Sequence, residues 1–71
     1  MLKLFSENVR RIRMEAGISQ ELLAERCTKY KRQIPHIENG TAKVNLSMIV
    51  VLAEALEVDP GTLLRQYRAH S

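Results

Sequence analysis

Apolar residues recur along this chain at helical intervals, and short polar or glycine-containing breaks separate them. Phe5, Val9 and Ile12 stand at i, i+4, i+7, with Arg10, Arg11 and Glu15 off that face. This predicts a first helix over residues 4–16, and Leu2 and Leu4 suggest an ordered start before it. Gly17 follows as the residue that closes the helix, and Ile18 returns the chain to the core. Ser19 reads as the N-cap of a second helix, with Leu23, Ala24 and Cys27 at i, i+1, i+4 and an end near Cys27. Thr28-Lys29 is too short for anything but a helix-to-helix turn. Tyr30, Ile34 and Ile37 then repeat the i, i+4, i+7 spacing on a third helix, which Asn39-Gly40 ends.

The second half is more apolar. Thr41 to Val44 reads as a loop, and Asn45 caps a fourth helix running to about Leu56. Leu46, Ile49, Val50, Ala53 and Leu56 share one face, but Met48, Val51, Leu52 and Ala55 leave almost no polar side. A helix apolar all round must be covered on more than one side. Either residues 1–5 and the last helix cover it, or a second subunit does. Met48, Val51, Leu52 and Ala55, with Leu63 and Tyr67, are therefore the candidate dimer or partner interface. Asp59-Pro60 starts a fifth helix bearing Leu63, Leu64 and Tyr67 and ending in a polar tail. The expectation is one all-α domain over residues 1–71, a compact five-helix bundle without linker or repeat.

Composition narrows the class. A chain of 71 residues holds a single small core, near the lower limit for folding without disulfides or metal. Apolar residues make up 45%, with three Gly and two Pro, so the chain is globular rather than disordered. The net charge of +3 is a mild basic bias, compatible with nucleic acid. Its distribution says more: residues 1–40 carry eight Lys or Arg against five Glu, whereas residues 41–71 carry three bases against three acids. Arg26 to Arg32 is the densest piece, with four bases in seven residues.

One cysteine forbids an internal disulfide and fits a reducing cytoplasm. No apolar run approaches the ~20 residues of a membrane span. The N-terminus lacks a secretory segment, and a soluble cytoplasmic protein is expected. Metal-spaced His/Cys clusters, a glycine-rich phosphate loop and a nucleophile with an obvious base are all missing, so no catalysis, metal or cofactor is expected.

The candidate chemistry lies on the third helix. Opposite Ile34 and Ile37 stand Arg32, Pro35 and His36, flanked by Lys31 and Gln33. Such side chains reach phosphates and the base edges of a major groove. Arg32 fits a bidentate guanine contact or a phosphate contact, and Lys31 leans towards phosphate. Gln33 suits adenine or the backbone, and His36 an uncharged polar contact rather than a pH-dependent base contact. Gln20, at the first helical position of the second helix, stands where free N–H groups attract an anion. Cys27, on the core face, reads as an inert buried thiol rather than a redox sensor. Pro35 would break a regular helix at about 3 kcal/mol. The third helix should therefore start late, near Lys31 or Arg32, so that Pro35 falls in its first turn, or start at Tyr30 and kink.

Together, RRIRMEAG, ISQELLAE, IPHIENG and LAEALEVDPGTLL resemble the phage-repressor and Cro type of helix-turn-helix, also called the xenobiotic-response-element type. The helix-turn-helix itself covers about residues 19–38. The resemblance implies a homodimeric regulator of transcription on double-stranded DNA, reading pseudo-palindromic operators with half-sites about one helical turn apart, roughly 34 Å. It implies that Gln20 anchors a phosphate, and that Lys31, Arg32, Gln33 and His36 meet base edges or nearby phosphates. Asn39 and Lys43 fall on the loop that grips the backbone. Arg13 and Glu38 look like the family's structural ion pair. Two departures stand out besides Pro35. Thr28 holds a turn position usually given to Gly, so the turn should be built differently, and Val44 replaces a frequent Pro. Chains this short in the family include the controller proteins of restriction–modification systems. The alternative from another class is an antitoxin whose main role is to bind a protein partner.

Overall fold

Local signals place the first helices where they were expected. The computed structural model describes residues 2–66. Helix α1 (Leu2–Glu15) buries Phe5, Val9 and Ile12 along one face. It ends at Gly17, whose φ of 74° is the left-handed value an L side chain resists. There the Ile18 N–H donates to the Arg13 carbonyl and the Gly17 N–H to that of Met14, the paired bonds of a glycine-closed helix end. Helix α2 (Gln20–Arg26) is capped by Ser19, whose hydroxyl accepts from the Leu22 N–H at 3.0 Å.

The connection to the next helix is the first departure from a plain bundle. Cys27 leaves α2 with φ −109° and ψ 60°, and a 3-10 segment, Thr28–Gln33, follows directly, kinked at Tyr30 (φ −115°, ψ 22°). No positive φ is used in this turn, so β-branched Thr28 fits it without the strain of a left-handed conformation. Helix α3 (Ile34–Asn39) begins only at Ile34. Pro35 thus falls in the first turn, where its missing N–H has no intrahelical acceptor to lose. The late start is the outcome, later still than Lys31 or Arg32.

Helix α4 (Leu46–Leu56) is capped by the Asn45 side chain, which accepts from the Met48 N–H at 2.8 Å. The structure splits the face read from the spacing: Ala53 and Leu56 are buried and Ile49 packs partly buried against the core, but Leu46 is 75% exposed and Val50 38%. Met48, Leu52, Ala53, Ala55 and Leu56 are the buried set. The expected interface residues Met48, Leu52 and Ala55 are therefore core, as is Leu63. A side chain already enclosed by its own domain has no surface left for a partner. Val51 is half-buried, and Tyr67 lies outside the described residues. The cause is the helix's composition: with apolar residues on every side, spacing carries no phase, and packing alone chooses the inward face.

The fifth element is shorter than expected: a 3-10 segment, Pro60–Leu64, led by Asp59. Among the described residues the fold thus comprises four α-helices and two 3-10 segments, with no strand. Leu63 enters the core, and buried Asn8 secures the segment behind it. The Asn8 amide donates to the carbonyls of Leu63 (2.8 Å) and Arg65 (2.7 Å) and its oxygen accepts from Arg11 (3.2 Å). One core, from Phe5 through Leu23, Ile34 and Ile37 to Leu52 and Leu63, joins all these elements.

Candidate nucleic-acid interface

Helix α3 is only six residues long, so its orientation must come from tertiary contacts rather than from its own hydrogen bonds. Ile34 and Ile37 are buried on its inner side. At its C-terminal end Glu38, also buried, receives the guanidinium of Arg13: Nε donates to Oε2 at 2.6 Å and Nη2 to Oε1 at 3.1 Å. The third donor of Arg13, Nη1, reaches the Ile18 carbonyl at 2.8 Å. The expected ion pair is present and is a two-pronged clamp between α1, the start of α2 and α3.

Gln20 joins this clamp. Its side-chain amide donates to Glu38 Oε1 at 3.0 Å, a structural bond that spacing did not reveal. One amide hydrogen remains for an outside acceptor. Gln20 also lines a recess of about 140 Å³ with Glu21, Ala24, Lys31, Ile34 and Pro35, so it stands beside Lys31 at the junction of α2 and α3.

The basic run divides in two. Arg26 donates to the Ala55 carbonyl at the end of α4 (3.2 Å), and Lys29 to the Ser47 hydroxyl (3.1 Å), with Nζ also 5.5 Å from the Tyr30 ring centroid. Arg26 thus ties the end of α2 to α4, and Lys29 ties the 3-10 segment to it. Lys31, Arg32 and Gln33 are exposed. They share one shallow recess with Thr28 and Lys29, and their side chains are committed to no other described residue. Tyr30 is core, and its hydroxyl donates to the Asn45 oxygen at 3.4 Å.

At the far end of α3, Gly40 adopts φ 85° and turns the chain into the loop. Thr41, absent from the sequence-derived set, links two members of that set. Its N–H and its hydroxyl both donate to Asn39 Oδ1, at 3.0 and 2.6 Å, and its oxygen lies 3.3 Å from His36 Nδ1. The signal was present in Asn39-Gly40-Thr41, because an Asn oxygen often accepts the N–H two residues on. Lys43 is exposed further along the loop. His70 lies outside the described residues.

Cys27 is fully enclosed, and burial pushes its thiol from 9.0 up to about 11. It is the inert form, since the thiolate is the reactive species. Among the described residues no three His, Cys, Asp or Glu side chains gather at metal-binding distance, and no helix is long and apolar enough to cross a membrane.

A short helix held by an internal ion pair, with uncommitted Lys31, Arg32 and Gln33 ahead of it and exposed His36 on it, has the arrangement of a helix-turn-helix. The helix-turn-helix family model matches residues 9–63, and the chain belongs to that family. More particularly, it is homologous to restriction–modification controller proteins. It is 37% identical over 65 residues to the control protein C.SmaI of Serratia marcescens, spanning 90% of this chain and 77% of that protein. It also matches the crystal structure of the restriction-modification controller protein C.AhdI from Aeromonas hydrophila, with a TM-score of 0.80 and 34% identity. That match covers 87% of this chain and 94% of the other.

Proposed function

We propose that this chain is a sequence-specific DNA-binding regulator of transcription, serving as the controller protein of a restriction–modification system in the cytoplasm and acting as a homodimer on a pseudo-palindromic operator. The observation that carries the reading is the separation of roles around α3. Arg13, Glu38 and Gln20 fix the helix from inside, and Lys31, Arg32, Gln33 and His36 are exposed outside. Arg32 then contacts guanine O6 and N7, while Lys31, Lys43, Asn39 and the second amide hydrogen of Gln20 serve phosphates. The role is regulatory rather than catalytic. Neither relative favours the antitoxin alternative.

Dimerisation uses the outward side of α4, where Leu46 and Val50 stand one turn apart and exposed. A two-fold axis through that side would present the same patch from both subunits, as an isologous contact requires. Two recognition helices would then meet successive major grooves, roughly 34 Å apart.

The deciding experiment is an anisotropy titration with the chain's own promoter duplex and a scrambled copy at several salt concentrations. A preference of about a thousandfold, with a salt slope reporting several phosphates, supports an operator binder that regulates its own promoter. Arg32→Ala should then relax selection at one base pair, whereas Lys43→Ala should weaken all duplexes alike and lower the salt slope by about one. Equal, weak binding to both duplexes overturns autoregulation from that promoter.

A further inference from the structure

We infer that Asn39 and Thr41 fix the tautomer of His36 and thereby make it a reader of amino-bearing bases, adenine or cytosine, at one position of each half-site. The inference rests on the DNA-binding reading and adds a specificity determinant to it.

The argument is a count of protons. The Thr41 backbone N–H can only donate, and it lies 3.0 Å from the Asn39 side chain. The atom it meets must therefore be the carboxamide oxygen, which fixes the orientation of the Asn39 amide. The Thr41 hydroxyl lies 2.6 Å from that same oxygen, and its other acceptor, the His36 carbonyl, is 3.5 Å away. Its single proton goes to Asn39. The hydroxyl oxygen can then only accept from His36 Nδ1, 3.3 Å away, so Nδ1 carries the ring proton. In a neutral imidazole this makes Nε2 an acceptor.

His36 is exposed on α3, and a ring held through Nδ1 leaves Nε2 as its outward polar atom. An acceptor there gains nothing from a phosphate oxygen or from guanine O6 and N7, which are acceptors themselves. It pairs with adenine N6 or cytosine N4, the major-groove donors. The same constraint turns the Asn39 amino group away from Thr41 as a free donor, suited to phosphate. Asn39 and Thr41 are thus positioning residues for His36.

Two measurements test this. Nitrogen-15 spectra of the DNA-free protein, at about pH 8 where imidazole side chains are ordinarily neutral, should show the Nδ1–H form of His36. Thr41→Val should lose that form, and Thr41→Ser should restore it. An Nε2–H form in the unaltered protein overturns the assignment, whatever the DNA result. Selection from a randomised duplex pool should favour adenine or cytosine over guanine and thymine at one position in a strand of each half-site. The preference should be about tenfold, and Thr41→Val should abolish it there alone. Specific binding without that position-limited loss overturns the base-reading role, with DNA binding intact. Binding with no sequence preference overturns both the base-reading role and the function it rests on, leaving only the tautomer.

Discussion

Arg13 and Glu38 are 25 residues apart in sequence and meet through two hydrogen bonds, at 2.6 and 3.1 Å. The side chain of Glu38 is 3% exposed and that of Arg13 13%. Removing either partner leaves a desolvated charge unpaired. Arg13→Ala or Glu38→Ala should each cost about 3–5 kcal/mol in urea unfolding, far more than an exposed pair would. In the double variant Arg13→Met/Glu38→Leu both charges are gone, so it should recover most of that loss. DNA affinity should fall with the singles even at temperatures where they remain folded, because the same bonds aim α3.

Glu57 is the one non-glycine residue at positive φ among the described residues, at 60°. It ends α4 with the bond pattern seen at Gly17: its own N–H donates to the Glu54 carbonyl, and that of Val58 to Ala53. The left-handed conformation costs an L residue about 1–2 kcal/mol, part of which glycine returns as chain entropy. Glu57→Gly should therefore stabilise the domain by about 0.5–1 kcal/mol, raising Tm by a few degrees. No change in Tm would show that the strain is relieved elsewhere.

Leu46 and Leu52 share α4 but have opposite environments, 75% and 0% exposed. Leu46→Glu should leave helicity intact and shift sedimentation from dimer to monomer. Leu52→Ala should instead destabilise the fold by about 2–5 kcal/mol through the cavity it leaves. A dimer unaffected by Leu46→Glu places the two-fold contact on another face.

Cys27 makes stability depend on alkaline pH. Its folded pKa, pushed up to about 11 by burial, exceeds the ordinary 9.0. Unfolding therefore releases a proton once pH passes 9.0. The thiol's contribution is fully present below that value and is lost as pH rises towards about 11. Subtracting the unfolding profile of Cys27→Ala from that of the unaltered chain should isolate the slope. Below pH 9 a disulfide reagent should label Cys27 no faster than the domain opens.

Much of the site was legible in the residues. Ser19 and Asn45 announce helix starts, and Gly17 and Gly40 announce ends, because capping and positive φ are local requirements. Pro35 predicted a late α3 for the same reason, since its ring forbids an interior position whatever surrounds it. The exposure of Arg32 and His36 followed from their spacing against Ile34 and Ile37.

What escaped was decided across the fold. The basic run Arg26 to Arg32 reads as one positive stretch, yet Arg26 and Lys29 serve α4 and leave Lys31 and Arg32 free. Gln20 reads as an anion anchor, yet it also braces Glu38. The inward face of α4 is legible only in part, at Ala53 and Leu56, because Leu46, Val50, Met48 and Leu52 are equally apolar. Which of them is enclosed depends on where α1 and the Pro60–Leu64 segment lie. Local chemistry determined where helices begin, end and bend, and which α3 residues face out. Tertiary packing alone decided which polar groups are committed inside and which side of an all-apolar helix remains open, because burial belongs to the assembled elements and has no period when every position is apolar.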